Sequence, residues 1–139
     1  MNRRVRFLIS ALSALAMVTL VVSIAAAAPV PFIGAWESID TDGSDQILTI
    51  GGGAGDTYHV RYYDFGATTC GLDPVSGDFL YAASARGTLA AGGSDLTGTL
   101  PLYCQTSPPT HHSTPQFAYT YQPATDTLID IWGVVWNRK

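Results

Sequence analysis

Thr127-Leu-Ile-Asp-Ile-Trp-Gly-Val-Val-Trp-Asn-Arg138 decides the fold of this 139-residue chain. It is the longest run of β-branched and aromatic residues outside the N-terminal leader, which marks it as strand. A terminal strand this apolar needs a partner on each side, and Ile33-Gly-Ala-Trp-Glu-Ser-Ile39 offers the second one. Pairing first strand with last would close the sheet into a barrel and leave no edge exposed. Both parities of the terminal stretch are apolar, which fits one strand buried on both faces or a bulge at Gly133.

Working outward, the N-terminus reads as a signal peptide over residues 1–27. Arg3, Arg4 and Arg6 make a basic start, Phe7 to Ile24 is uncharged and apolar, and Ala25–Ala28 supplies the small residues of a cleavage site. The apolar run approaches spanning length, but the Ala cluster and the switch to Pro-rich chain favour a removed leader, with cleavage after Ala27. Residues 28–139 then form a single domain, secreted to an extracellular or periplasmic space and free of the membrane once cut. No lipobox cysteine stands directly after the expected cleavage site, so lipid anchoring is not expected.

The exported part keeps Arg61, Arg86, Arg138 and Lys139 against all eleven acidic side chains, a net charge near −7. Four scattered cations on an acidic domain exclude a nucleic-acid or anionic-membrane footprint. Cys70 and Cys104 are the only cysteines, and an even count in an exported chain reads as a disulfide. That bridge would contribute about 3–4 kcal/mol by the chain-entropy account.

Between the ends the chain is strand and turn, with Gly and Pro recurring about every ten residues. The expected strands are Ile33–Ile39, Asp45–Ile50, Thr57–Tyr63, a short one near Ala67–Cys70, Asp78–Ser84, Leu96–Cys104 with an irregularity at Pro101, Gln116–Gln122 and the terminal stretch. Arg86–Ala90 is read as an extension of the fifth strand or a separate piece. Gly51–Asp56 and Gln105–Pro115 are expected to be loops. These eight strands predict an all-β, antiparallel up-and-down meander barrel with one disulfide.

Gly34-Ala35-Trp36 on the first strand and Trp136-Asn137-Arg138 on the last resemble the paired motifs of lipocalins, avidins and fatty-acid-binding proteins, the calycin group. The resemblance implies an eight-stranded barrel in which Gly34, Trp36, Trp136 and Arg138 close one end, with Arg138 crossing the Trp36 indole in a cation–π contact. The chain departs from that group in its shorter length, in having no helix before the last strand, and in carrying Thr125-Asp126-Thr127 where Thr-Asp-Tyr is usual.

Candidate sites follow from the alternation. Tyr58, Tyr62, Tyr81, Phe117, Tyr119 and Tyr121 are expected to point inward, where they either line a ligand pocket at the barrel mouth or fill a small interior. Asp40-Thr-Asp-Gly-Ser-Asp45 is dense in carboxylates, yet Gly43 stands fourth and no distant Glu follows, so a hairpin turn is expected rather than a calcium loop. His111-His112 with His59 lack zinc spacing. Both cysteines are used in the bridge, no Gly-x-Ser-x-Gly elbow occurs, and Asp126/Asp130 and Asp64/Asp73 read as solubilising turn charges. No cofactor, metal or catalysis is expected.

The function expected is that of an exported, monomeric binding protein holding a small apolar or aromatic ligand at the mouth. The alternatives are a structural cell-surface domain and a protein-binding module, such as an inhibitor of an exported protease that uses the Pro-rich segment Ala28–Phe32.

Overall fold

The computed structural model describes residues 31–139. The expected leader, its cleavage site and Ala28–Val30 lie outside the described residues. Ten strands form one antiparallel sheet: β1 (Gly34–Ile39), β2 (Asp45–Gly52), β3 (Thr57–Asp64), β4 (Ala83–Gly92), β5 (Asp95–Thr99), β6 (Leu102–Cys104), β7 (Thr110–Ser113), β8 (Gln116–Gln122), β9 (Thr127–Asp130) and β10 (Val135–Arg138). The sheet closes twice over. Trp36 of β1 lies opposite Arg138 of β10, and β3 pairs along its whole length with β4, from Thr57↔Ala90 to Asp64↔Ala83.

Ten strands make eight staves. β5 and β6 pair with β4 in one continuous register, Ala90 facing Thr97 and Ala85 facing Leu102. β7 and β8 run back along that pair, Ser113 facing Leu102 and Gln116 facing Thr99, with a register shift between Leu102 and Tyr103. The interruptions fall at Pro101 and Pro115, residues without the N–H a ladder needs. The Leu100 amide still bridges the gap to the Pro115 carbonyl at 3.3 Å. Each stave neighbours its sequence neighbours, so the protein is a closed, eight-stranded antiparallel up-and-down barrel.

Period-two alternation fills the interior. Trp36, Leu48, Ile50, Val60, Leu89, Leu96, Leu100, Leu128 and Trp136 are buried in one core. Ser38, Gln46 and Asp64 also point inward. The disulfide Cys70–Cys104 is formed, with the two Cα atoms 5.5 Å apart.

Three expected elements differ. The terminal stretch is a hairpin: β9 and β10 pair antiparallel through Leu128↔Trp136, and Asp130–Val134 turns the chain with Gly133 at φ +83°. The doubled apolar parity therefore reflects a turn with Ile131 and Trp132 exposed and Val135 facing out, not a strand covered on both sides. Ala67–Cys70 is no strand; Thr68–Cys70 forms a 3-10 turn, because Gly66 and Gly71 bracket too short a run to lie in the sheet. Asp78–Ala82 is also outside the ladder, and the strand begins at Ala83 and runs through the Arg86–Ala90 piece to Gly92. Phe79 and Tyr81 consequently stand exposed in an excursion between β3 and β4. That excursion is folded on itself by Leu72↔Phe79 pairing and by Ala67 N–H donating to the Tyr81 carbonyl at 3.2 Å. The expected loop Gln105–Pro115 contains β7, and β2 continues through Gly51 and Gly52.

Candidate functional site: the open mouth of the barrel

The two ends of the barrel are built differently. At one end Phe32, 1% exposed, plugs the interior and packs edge-on against Tyr58 and Tyr121, ring centroids 5.6 and 6.4 Å away. The Trp36 indole N–H donates to the Phe32 carbonyl at 3.0 Å. Arg138 lies over the Trp36 ring, its guanidinium carbon 4.1 Å from the centroid. The same guanidinium donates to the Pro31 and Ile33 carbonyls, each at 2.8 Å, and makes a two-pronged pair with Asp126 at 2.8 and 2.9 Å. Gly34 makes this approach available: a Cβ there would stand 2.6 Å from Arg138 Nη1. Asp126 is held below the usual carboxylate range, first by the Arg138 hydrogen bonds.

The other end is open. A cavity of about 370 Å³ sits among the ends of β1, β3, β7 and β9 and the starts of β2, β4, β6, β8 and β10. Its floor is aromatic: Tyr62 meets Phe117 at 5.4 Å and Trp136 at 6.2 Å, and Tyr119 meets Trp136 at 5.8 Å. Asp40, Asp42, Asp64 and Asp130 surround it, and among the described residues no Lys, Arg or His lines it. Ala67, Thr68 and Thr69 of the excursion cover part of the opening, anchored by the disulfide to β6 and by Thr69 Oγ1 at 2.8 Å from His112 Nε2.

Most of the rim carboxylates serve the chain's own turns. Asp42 accepts from Ser44 N–H and Oγ–H at 3.0 and 2.8 Å and from Thr68 N–H at 3.3 Å. Asp130 caps its hairpin, accepting from Trp132 and Val134 N–H at 2.9 and 3.0 Å and from the Trp136 indole at 3.2 Å. Asp64 is different, being 4% exposed. One of its oxygens accepts from Gly66 N–H at 3.1 Å, while the other has a long 3.4 Å contact from the Tyr62 hydroxyl. That hydroxyl in turn accepts from Gln46 Nε2 at 2.8 Å. Burial, with the Asp64 charge adding, pushes the Tyr62 hydroxyl far above its usual range, and burial does the same to Tyr119. Asp40 is raised by partial burial, and its neighbours Asp42 and Asp64 add repulsion.

The inward aromatics therefore divide between the two ends. Tyr62, Phe117 and Tyr119 line the mouth; Tyr58 and Tyr121 belong to the plugged end; Tyr81, expected inward, is 42% exposed on the excursion, because its segment never enters the sheet. His59 sits on the outer wall opposite Thr88, while His111 is on β7, with Nε2 3.2 Å from Thr114 Oγ1. No group of three or more His, Cys, Asp or Glu suited to a metal occurs among the described residues. Asp126 and Asp130 lie at opposite ends of β9, and Asp73 caps its own turn through Val75 and Ser76 N–H, both at 2.8 Å. The sequence reading took Asp40 and Asp42 as a hairpin turn and Asp64 and Asp130 as solubilising charges and did not bring the four together at the mouth, although Asp64 shares the inward parity of Tyr58, Val60 and Tyr62.

No family model, curated protein or solved structure matches this chain. The barrel and its mouth have to be interpreted on their own chemistry.

Proposed function

We propose that this is an exported, lipocalin-like binding protein that acts without catalysis and holds a small molecule in the open mouth of its barrel. The observation that carries the reading is the cavity of about 370 Å³ over Tyr62, Phe117, Tyr119 and Trp136. A concave, aromatic-floored space with a few convergent polar groups is the usual form of a small-ligand site. The plugged opposite end supports a cup rather than a channel. The lipocalin-like assignment draws on the closed eight-stave meander and on Arg138 stacked over Trp36. Export draws on the leader-like residues 1–27 and on the disulfide.

The test is native mass spectrometry of the protein purified from its own host, followed by organic extraction. A bound small molecule that is lost on denaturation is the expected result. A clean apo mass, together with no saturable effect of added aromatic compounds on tryptophan fluorescence, would refute it.

A second reading, a protein-binding module, is favoured by the apolar side chains exposed beside the mouth: Ile39, Ile131 and Trp132 are 65%, 52% and 62% exposed. Its version in which Ala28–Phe32 is the inhibitory arm loses Phe32, which is spent as the barrel plug.

A further inference from the structure

We propose that the molecule taken by the mouth is a small organic cation, an aromatic amine whose ammonium group meets Asp64 and whose ring lies on Tyr62, Phe117 and Trp136. The inference rests on the mouth being the ligand site and adds the charge of the ligand. Asp64 is its centre. A carboxylate this buried is ordinarily paired with a cation or fully hydrogen-bonded, because water no longer solvates it. Here one oxygen has a backbone donor and the other only the 3.4 Å contact from Tyr62.

No cation among the described residues reaches it. Among the described residues the ion pairs are Arg138–Asp126 and Lys139–Glu37, and Arg61 and Arg86 face each other across β3 and β4 on the outer wall.

Tyr119 is the independent observation. Its side chain is 2% exposed, yet its hydroxyl joins none of the hydrogen bonds of the described residues. Among the described residues no sealed side-chain oxygen or nitrogen lacks a partner, so this hydroxyl opens onto the cavity it lines. A hydroxyl at a cavity wall with no protein partner is free to bond water or a polar group of a bound molecule.

The charges select the sign of that group. Asp40, Asp42 and Asp130 add to the field of Asp64, and aromatic rings attract cations that reach their faces. An anion would meet four carboxylates and no positive charge. A neutral ligand would leave Asp64 as it is now, buried and without a counter-charge.

The test uses the intact mature protein and three probes of one shape: 2-phenylethylamine, 2-phenylethanol and phenylacetate. Binding is read by titration calorimetry and tryptophan fluorescence. The expected result is an amine bound at least about tenfold more tightly than the alcohol, with phenylacetate not bound. Asp64→Asn should remove that preference, weakening the amine far more than the alcohol. Should Asp64→Asn fail to fold, Asp40→Asn, whose carboxylate caps no distant strand, should weaken the amine selectively. The alcohol or phenylacetate binding as well as the amine would overturn the cation and leave the mouth as a ligand site. No saturable binding of any probe, with a clean apo mass from the host, would overturn both.

Discussion

Arg138→Ala should destabilise the barrel far more than removal of an exposed arginine usually does. The side chain is about one-third exposed, and surface substitutions generally stay within about 0.5 kcal/mol. Arg138, however, joins three parts of the chain: the residues before β1 through the Pro31 and Ile33 carbonyls, the Trp36 face, and the β8–β9 turn through Asp126. The cation–π contact contributes about 0.5–1 kcal/mol. Two charge-assisted hydrogen bonds at a half-exposed site add roughly 1 kcal/mol more, discounted from their buried values because water can replace them. The solvent-screened pair with Asp126 is left out of the sum. The expected loss is therefore about 2 kcal/mol, or roughly 8 °C in Tm for a domain of this size. Urea denaturation followed by tryptophan fluorescence should show a lower midpoint with an unchanged slope. Arg138→Lys should fall between the two proteins, keeping a charge near Trp36 but losing the fork. A Tm for Arg138→Ala within about 2 °C of the parent would refute the latch and leave the Trp36 stacking as ornament.

Gly34→Ala should act through the same latch. Its Cβ would displace Arg138 Nη1, so it should cost about 1–2 kcal/mol in the parent and clearly less in Arg138→Ala, a double-mutant cycle that additive losses would contradict. Replacing Cys70 and Cys104 together by Ser should lower stability by about 3–4 kcal/mol and raise hydrogen exchange in residues 66–82 above that of β1–β3; uniform exchange would show that the bridge does not pin the excursion. The two ends should also differ in pH response. Asp126 is depressed in the folded state, so its contribution is present above the ordinary carboxylate range near 4 and lost as pH falls through its folded value; Asp126→Asn should flatten that acid limb. Asp40 is raised, so it disfavours the fold when ionised and is relieved as pH falls through its folded value toward the unfolded one; Asp40→Asn should be more stable than the parent at pH 7, and a loss there would reverse the assignment.

The barrel was legible in the sequence for partly wrong reasons. First-to-last closure was readable because Trp36 and Trp136 sit on strands that need two neighbours, and the structure pairs those strands. The count of eight staves held because two misreadings offset each other. Thr68–Cys70 is a turn, so one expected strand vanishes, while the terminal stretch folds back at Asp130–Val134 and supplies another. The sequence offered burial on both faces or a bulge at Gly133 for one continuous strand, whereas the capping of Trp132 and Val134 N–H by Asp130 makes a hairpin there. Periodicity places residues on faces but not at ends. Tyr58 and Tyr121 share their inward parity with Tyr62 and Tyr119, yet one pair seals the bottom and the other floors the mouth. Tyr81 also alternated, but alternation carries no meaning outside a ladder.

What separates structure from function at the mouth is the second oxygen of one carboxylate. One oxygen each of Asp42 and Asp130 holds turn N–H groups, work that an amide oxygen does equally well, while the second accepts from Thr68 N–H and from the Trp136 indole. Asp42→Asn and Asp130→Asn should therefore preserve the turns, lose those second bonds and weaken the field. Asp64 shares that turn-capping work through its bond to Gly66, and Asp64→Asn preserves that bond. What it removes is the charge on the oxygen that meets only the Tyr62 hydroxyl. If stability were the only pressure on this site, the neutral amide would be the better side chain at position 64, since it asks for no buried charge. Asp64→Asn should accordingly hold or raise the Tm while abolishing selectivity for the amine, and that opposition between stability and binding is the signature of a residue kept for its ligand. A variant that loses Tm and keeps its ligand would show instead that Asp64 is there to hold the loop.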